Sequence, residues 1–313
     1  MKNTVVAISA VAHCVLPVLL LVWTGLGRHR SRAQFVGVAA LTAAYVLSIG
    51  LAGAAWPWFG LWWRWVWYAS YPAACAVWLV RRWRAAPGWP ERRFVPIAGL
   101  VFTGLTALLL LSAVPEALSA RSYEGKPLEL QPPLSGGRIV VGNGGGNELT
   151  NPHAVVSAQR YALDILGLQG MTRAEGSYPD ELTAYAIWGR SVIAPCAGSV
   201  VAMENGLPDV APGVPSAKEA EVAGNHVILR CGVHDVVLAH LQRGSVAVEV
   251  GAEVDVGARL GLVGNSGNTS EPHLHIHAVS AGAAEREQWM WKGTGVPLTF
   301  GGRFLVRGDT AAW

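Results

Sequence analysis

Four apolar stretches dominate the first 120 residues, and they constrain the fold of this chain more than any other feature. They lie at about 4–25, 34–55, 59–80 and 95–114. Each approaches the roughly 20 residues that a helix needs to cross the hydrocarbon core of a membrane. The first could be a signal peptide, but the three that follow favour a signal anchor. The sequence therefore predicts an N-terminal membrane domain, residues 1–118, with four transmembrane α-helices.

The arginines of this region indicate how it crosses the membrane. Arg28, Arg30 and Arg32 separate the first two stretches, and the loop between the second and third has no charge. The loop between the third and fourth stretches carries five more arginines: Arg81, Arg82, Arg84, Arg92 and Arg93. Basic loops stay in the cytoplasm. We therefore expect a multi-pass membrane protein, with both chain ends and everything after the fourth stretch on the outer side.

Charge is divided unevenly along the chain. The first 120 residues hold ten of the 24 lysines and arginines but only two of the 21 acidic residues. The net charge of +3 therefore combines a basic membrane region with an acidic remainder, which is not a signature of nucleic-acid binding. We expect the lipid bilayer as a partner and no nucleic acid. The stretches hold no paired acidic residues, so we interpret them as an anchor. The oligomeric state stays open.

The remainder of the chain has the pattern of a β domain. Residues 119–150 are rich in proline and glycine, as in a linker, and hold one short strand, Arg138–Val141. Residues 151–313 are short apolar or alternating runs bounded by Gly, Pro, Asn and Ser. The strands predicted there are Arg160–Ile165, Ser191–Ala194, Gly198–Met203, His226–Cys231, Asp235–His240, Ala247–Val250, Arg259–Val263 and His273–Val279. A glycine-punctuated β domain with several close hairpins is expected, with 204–224 as a surface loop or groove rim.

Two cysteines fall in this half of the chain. Cys196 and Cys231 both lie in or beside predicted strands. On the outer side of a membrane, oxidising conditions would let them pair. Two buried free thiols would give the same sequence, so both alternatives stay open.

The segment Glu-Pro-His-Leu-His-Ile-His at 271–277 places three imidazoles at alternate positions. Alternate side chains of a strand share one face, so His273, His275 and His277 would line up along one surface. Neutral imidazole is the commonest zinc ligand and is suited to proton transfer near neutral pH. The alternative is a histidine ladder on an exposed strand.

Two further residues complete the inventory of a zinc site. Asp164, in Gln-Arg-Tyr-Ala-Leu-Asp, offers a carboxylate, and His240, in Leu-Ala-His-Leu, offers another imidazole. Both fall in predicted strands. One carboxylate and several histidines are the groups that hold zinc while leaving one position open for water.

With these residues in view, the chain resembles the lysostaphin/LytM-type zinc metallopeptidases of bacterial cell walls. Four motifs match in order: Val-Ile-Ala-Pro-Cys-Ala-Gly-Ser-Val-Val from Val192, Gly-Asn-His-Val-Ile from Gly224, Ala-His-Leu from Ala239, and the stretch from Gly261 to His275. The resemblance covers about 153–280 and none of the membrane part. It implies a mainly antiparallel β domain of the duplicated hybrid motif type over 151–313.

The resemblance also implies roles for individual residues. His275 and Asp164 correspond to zinc ligands, and His240 and His273 to the catalytic histidines, with His273 beside the metal. His277 falls where the family has another polar residue, so either a position behind a ligand or a solvated one is expected for it.

One position departs from the family. Its first histidine ligand lies four residues before the aspartate, where this chain has Arg160, and a guanidinium cannot coordinate zinc. The nearest upstream imidazole is His153, in Asn-Pro-His, and we predict it as the third ligand. The alternative is an exposed His153 and a site without metal. Arg160 could instead bind a carboxylate or carbonyl of the substrate.

The resemblance and the predicted topology together imply a zinc (Zn2+) metalloendopeptidase that cleaves peptidoglycan peptides outside the membrane. Two alternatives stay open. A degenerate domain would bind cell wall, or regulate another hydrolase, without cutting. A membrane sensor or transporter component would use the β domain only to bind a ligand.

Overall fold

The computed structural model describes residues 2–53, 55–89, 94–214, 221–282 and 292–313. It separates into two compact units: a helical unit over Asn3–Leu118 and a β unit that holds Ser119–Trp313.

The helical unit consists of long apolar helices and one short one. Their bounds are α1 (Lys2–Ala10), α2 (Leu16–Leu26), α3 (Arg32–Ala52), α4 (Trp56–Phe59), α5 (Trp63–Arg82) and α6 (Phe94–Ser119). A π-helical turn, Val11–Val15, makes α1 and α2 continuous. Ser31 begins α3 because its side chain accepts a hydrogen bond from the Gln34 amide, which otherwise has no partner in the first turn.

Three helices in the described part of the chain are long and apolar enough to cross a membrane. They are Lys2–Leu26, Arg32–Ala52 and Ile97–Ser119, with mean hydropathies of 2.6, 2.0 and 2.3. The prediction of four such helices is thus supported for three. The third predicted stretch, 59–80, lies mainly in α5, which carries Arg64 near its start, two arginines at its end and several Trp and Tyr residues. These polar and amphipathic side chains lower its hydropathy.

The β unit is built on a nine-stranded sheet whose strand pairs are all antiparallel. Its order is β14-β2-β3-β10-β7-β6-β5-β8, with β11 also paired to β10. The strands are β1 (Leu128–Leu130), β2 (Arg138–Asn143), β3 (Leu163–Gly167), β4 (Ser191–Ile193), β5 (Gly198–Glu204), β6 (Asn225–Cys231), β7 (His234–Leu241), β8 (Glu253–Val254), β9 (Arg259–Leu262), β10 (Leu274–Ser280), β11 (Gly295–Val296), β12 (Leu298–Phe300), β13 (Arg303–Phe304) and β14 (Thr310–Ala312). Two small sheets, β1-β12-β13 and β4-β9, complete the unit. The predicted antiparallel β domain is confirmed.

Two predicted strands are wrong in part or whole. Arg160 has helical dihedral angles (φ −48°, ψ −36°) because it follows a turn of 3₁₀ helix at Ser157–Gln159, so β3 begins only at Leu163. Residues 247–250 form no strand. The Ala247 amide donates to the Leu260 carbonyl, but the next backbone donors go to separate partners and form no ladder.

The alternation of β10 sorts its side chains between two faces. Leu274, Ile276 and Ala278 enter the main hydrophobic core, which fills the space under the large sheet. The intervening histidines therefore lie on the opposite face of the sheet.

Cys196 and Cys231 form a disulfide, with 6.0 Å between their Cα atoms. Of the two alternatives that the sequence left open for these cysteines, the structure has the paired one.

Candidate metal centre

The register of three neighbouring strands aligns the polar residues of the site in one row. Across β2, β3 and β10, Asn143 pairs with Asp164 and Asp164 pairs with His275. On the next strand, His275 pairs with Ala239, the residue before His240. Residues more than a hundred positions apart therefore become neighbours through backbone pairing alone.

His153 reaches this row from a short 3₁₀ helix, Pro152–Val155. The fully buried Asn151 begins that helix, because its side-chain oxygen accepts from the His153 amide at 3.2 Å. The Asn151 amide group also donates to the carbonyl oxygens of three residues: Gly145, Arg160 and Ala162. This anchor fixes the loop, and His153 Nε2 lies 2.9 Å from Asp164 Oδ2.

His153, Asp164 and His275 form a compact group of possible ligands. His275 Nδ1 lies 3.0 Å from Asp164 Oδ1, and one ligand atom from each residue lies within 4.8 Å of the others. Bonds of about 2.0–2.2 Å to one zinc ion require donor atoms roughly 3–4 Å apart. Two imidazole nitrogens and a carboxylate oxygen at these separations suit zinc. The structure thus brings together the three residues predicted as ligands.

The charges in this group also suit a cation. Burial alone would raise the pKa of Asp164, but His153 and His273 hold it well below its usual value, so a carboxylate is present at neutral pH. Burial lowers the pKa of His275 to about 4 despite its hydrogen bond to Asp164. Zinc binds neutral imidazole and ionised carboxylate, the forms that these two residues adopt.

The pKa of His153 is shifted in the opposite direction from that of His275. Burial lowers its pKa, but attraction to the Asp164 carboxylate outweighs that effect and raises the pKa above the usual value. The carboxylate therefore attracts positive charge toward the His153 ring. A dication bound there would replace a proton.

The two histidines predicted to be catalytic lie beside the group. The His240 and His273 ring centres are 4.7 Å apart, and His273 Nε2 lies 3.5 Å from Asp164 Oδ1. Each ring is oriented through Nδ1 by a backbone carbonyl 2.8 Å away: that of Ser266 for His240 and that of Glu271 for His273. Nε2 is therefore the nitrogen of each ring that is left to exchange a proton.

His240 is the one residue other than glycine with a positive φ, 63°, within the described ranges. Two backbone hydrogen bonds hold it there, from its amide to the Ala223 carbonyl and from the Gly264 amide to its own carbonyl. Such a conformation is unfavourable for a residue with a Cβ atom, and residues held in it cluster at active sites.

His277 is 1% exposed, so it is not solvated. Its Nδ1 lies 2.9 Å from His275 Nε2. It therefore stands directly behind the predicted ligand, the first of the two alternatives that the sequence left open.

The Arg160 side chain, by contrast, does not join the group. It is 46% exposed and extends toward Glu124, with 3.7 Å between the charged atoms. Its link to the site is the backbone carbonyl that accepts from Asn151.

Sequence reasoning missed two residues behind Asp164. Asn143 Nδ2 donates to Asp164 Oδ2 at 2.8 Å, and Arg307 Nη2 donates to Asn143 Oδ1 at 2.8 Å. Asn143 ends a strand beside a glycine run, a weak signal, and nothing in the sequence around Arg307 points to the site.

Comparison with known proteins identifies the class. The sequence model described as "Peptidase family M23" matches residues 183–286. The matched segment contains His240, His273 and His275. His153 and Asp164 precede the matched residues.

The individual relatives match only part of this chain. Over 93 residues the chain is 32% identical to "Peptidoglycan DD-endopeptidase ShyA" of Vibrio cholerae serotype O1, which is 29% of this chain and 21% of that protein. The antimicrobial peptidase lysostaphin from Staphylococcus simulans aligns with 40% of each chain at 21% identity and a TM-score of 0.26. A zinc-containing peptidase from Vibrio cholerae aligns with 31% of this chain and 25% of its own, at 23% identity and a TM-score of 0.24. The chain thus spans about a fifth of the length of ShyA.

Proposed function

We propose that this protein is a membrane-anchored zinc metalloendopeptidase that hydrolyses peptide bonds of peptidoglycan on the outer side of the bacterial cytoplasmic membrane. The observation that carries the proposal is the group of His153, Asp164 and His275, with two oriented histidines beside it. The M23 domain supports the reaction class, and the likeness to a peptidoglycan endopeptidase supports the substrate class.

In this proposal His153 Nε2, His275 Nδ1 and the Asp164 carboxylate would hold the metal. Bound zinc would lower the pKa of a coordinated water to about 7 and polarise the scissile carbonyl. The protein's own part is to fix these three ligands through the strand register and the Asn151 anchor.

His240 is suited to accept a proton. Its burial, together with the neighbouring His273 and His275, lowers its pKa well below the usual value, so the ring is neutral near pH 7. Because Nδ1 donates to the Ser266 carbonyl, the lone pair lies on Nε2. We assign His240 Nε2 as the group that removes a proton from the attacking water.

His273 is suited to the complementary role. Burial lowers its pKa, but attraction to Asp164 reverses the effect and raises the pKa above the usual value. A protonated His273 can donate a hydrogen bond from Nε2 to the oxyanion of the tetrahedral intermediate. It can then transfer that proton to the leaving amine.

The membrane side follows from charge. The arginine loops are predicted to be cytoplasmic, which places the β unit outside if the number of crossings is even. We therefore include α5 as the fourth crossing. Its 20 residues span about 30 Å at ~1.5 Å per residue.

The test is hydrolysis of purified peptidoglycan by the full-length protein in detergent, followed by mass spectrometry of the released fragments. We expect new amino and carboxyl ends at a peptide bond, loss of activity with a zinc chelator, and loss in His275→Ala and Asp164→Ala. His234→Ala is the matched control, because His234 lies at the opposite end of β7 from His240. Undiminished cleavage by either ligand variant would reject the proposal.

A further inference from the structure

The Asp164 carboxylate has a hydrogen-bond donor outside the metal-binding group. Asn143 lies opposite Asp164 across the β2–β3 pair, at a bulge where the register shifts between Val141 and Asn143. Its Nδ2 donates to Asp164 Oδ2 at 2.8 Å. The bond restricts rotation of the carboxylate about its Cβ–Cγ axis. The oxygens of Asp164 are therefore held in place before any cation arrives.

Arg307 determines which way the Asn143 amide faces. An amide can turn either its oxygen or its NH2 group toward Asp164, and a carboxylate accepts only from the NH2 group. A guanidinium donates but never accepts, and Arg307 Nη2 lies 2.8 Å from Asn143 Oδ1. The opposite amide orientation would place two donors against each other at Arg307 and two acceptors against each other at Asp164.

The guanidinium itself is held by two backbone carbonyls. Arg307 Nε donates to Gly142 at 3.1 Å, and Nη1 donates to Leu149 at 2.8 Å. Its own backbone amide donates to the carbonyl of Gly144. All three contacts lie around the loop that leads from β2 toward His153. The C-terminal segment is therefore attached to the metal-binding group by directional bonds on both sides of Asn143.

We propose that Asn143 and Arg307 are positioning residues for zinc, with Arg307 acting through the Asn143 amide to hold the Asp164 carboxylate in its ligating orientation. This inference rests on the proposed function, because it assumes that Asp164 ligates zinc. Both residues lie outside the segment that matches family M23, so this chain supplies the support from its own flanking segments.

Loss of the Asn143 amide frees the carboxylate and removes a hydrogen bond to its charged form. Partners of this kind behind a ligand typically contribute about 10- to 100-fold in metal affinity. We expect Asn143→Leu to raise the zinc dissociation constant of the full-length protein by that factor. Arg307→Met should also raise the zinc dissociation constant. The double variant should have the same dissociation constant as Asn143→Leu within about twofold, because both substitutions act on one hydrogen bond.

The experiment measures zinc dissociation constants by competition with a chromogenic chelator, for the full-length protein in detergent. The matched control is Arg121→Met, which removes another guanidinium paired with the C-terminal segment, through Asp309, without touching the metal group. The visible absorption spectrum of the cobalt-substituted protein is the second readout. It should change in Asn143→Leu and Arg307→Met and stay unchanged in the control, since a purely structural role would not alter the ligand geometry.

The outcomes separate the two proposals. If the wild type binds zinc and Asn143→Leu binds it equally well with an unchanged cobalt spectrum, the positioning role is overturned and the proposed function stands. If the losses of zinc affinity in the two single variants add up in the double variant, the action of Arg307 through Asn143 is overturned. A wild type that binds no zinc would overturn both. Melting temperatures of the metal-free proteins verify folding, and if Asn143→Leu is unfolded at the assay temperature, Asn143→Ser gives the same comparison.

Discussion

His277 is placed to accept the ring proton of His275, the predicted ligand in front of it. A histidine that binds a metal through Nδ1 must carry its proton on Nε2, and that proton needs an acceptor. His277 Nδ1 lies 2.9 Å from His275 Nε2 and is the atom placed to accept it. Burial and the neighbouring His275 lower the pKa of His277 well below its usual value, so the ring is neutral and keeps an accepting nitrogen.

We predict that His277→Phe weakens zinc binding by about tenfold, the usual scale for losing such a partner. Phenylalanine keeps an aromatic ring in the buried position but offers no acceptor. His277→Asn can restore one, and its affinity should lie closer to that of the wild type. The measurement is the zinc dissociation constant of each full-length variant. Equal affinities for His277→Phe and wild type would show that His277 does not set the proton of His275.

Among the elements of the site, the loop between β3 and β4 is joined to the loop before β10 by a buried ion pair. Arg173, 1% exposed, donates to both carboxylate oxygens of Glu271 at 2.8 and 3.0 Å. The backbone carbonyl of Glu271 orients His273. The ion pair therefore supports the residue whose carbonyl orients His273, one of the two histidines predicted to be catalytic.

We predict that Arg173→Met destabilises the β unit by about 3–5 kcal/mol, because it leaves the Glu271 carboxylate buried and unpaired. The double variant with Glu271→Leu should recover much of the loss, since no charge then remains buried. The measurement is unfolding of the β unit, with Arg121→Met as an exposed ion-pair control expected to cost at most about 1 kcal/mol. A loss of similar size in the control and in Arg173→Met would contradict the buried-pair account.

The elements also show how far the sequence could predict the fold. The alternating histidines of β10 were correctly expected to share one face, because a period of two is visible in a single segment. The predicted start of β3 was wrong, because the 3₁₀ turns that precede the strand have no apolar pattern. The strands of two or three residues at β8 and β11–β14 carry too few side chains for any periodicity.

Some residues of the site could be predicted from the sequence and others could not. His153 was found through a family resemblance, and the structure brings it to Asp164. Asn143 and Arg307 could not be found, because their contacts depend on strand register and on a C-terminal segment that returns across the domain. Pairings of this kind are set by tertiary structure, and at most a weak local signal, such as the glycine run beside Asn143, accompanies them.

At the scale of the whole molecule, the position of the β unit depends on whether α5 crosses the membrane. Three apolar helices alone would place the two chain ends on opposite sides. A crossing by α5 restores an even number and brings both arginine loops to the cytoplasmic side.

We predict that alkaline phosphatase fused after Trp313 is active, because that enzyme requires the outer compartment, and that green fluorescent protein fused there is dark. Fusions after Gly88, in the loop that follows α5, should give the reverse result. A bright, phosphatase-inactive fusion after Trp313 would place the β unit in the cytoplasm and exclude peptidoglycan as its substrate.

We propose that His153, Asp164 and His275 hold one zinc ion in place of the family's usual ligand set. The most direct measurement is the metal content of the full-length protein by mass spectrometry. We expect one zinc per chain in the wild type and in Arg160→Ala, and loss of zinc in His153→Ala, Asp164→Ala and His275→Ala. A wild type without zinc, or a His153→Ala variant that retains the full amount, would contradict the account.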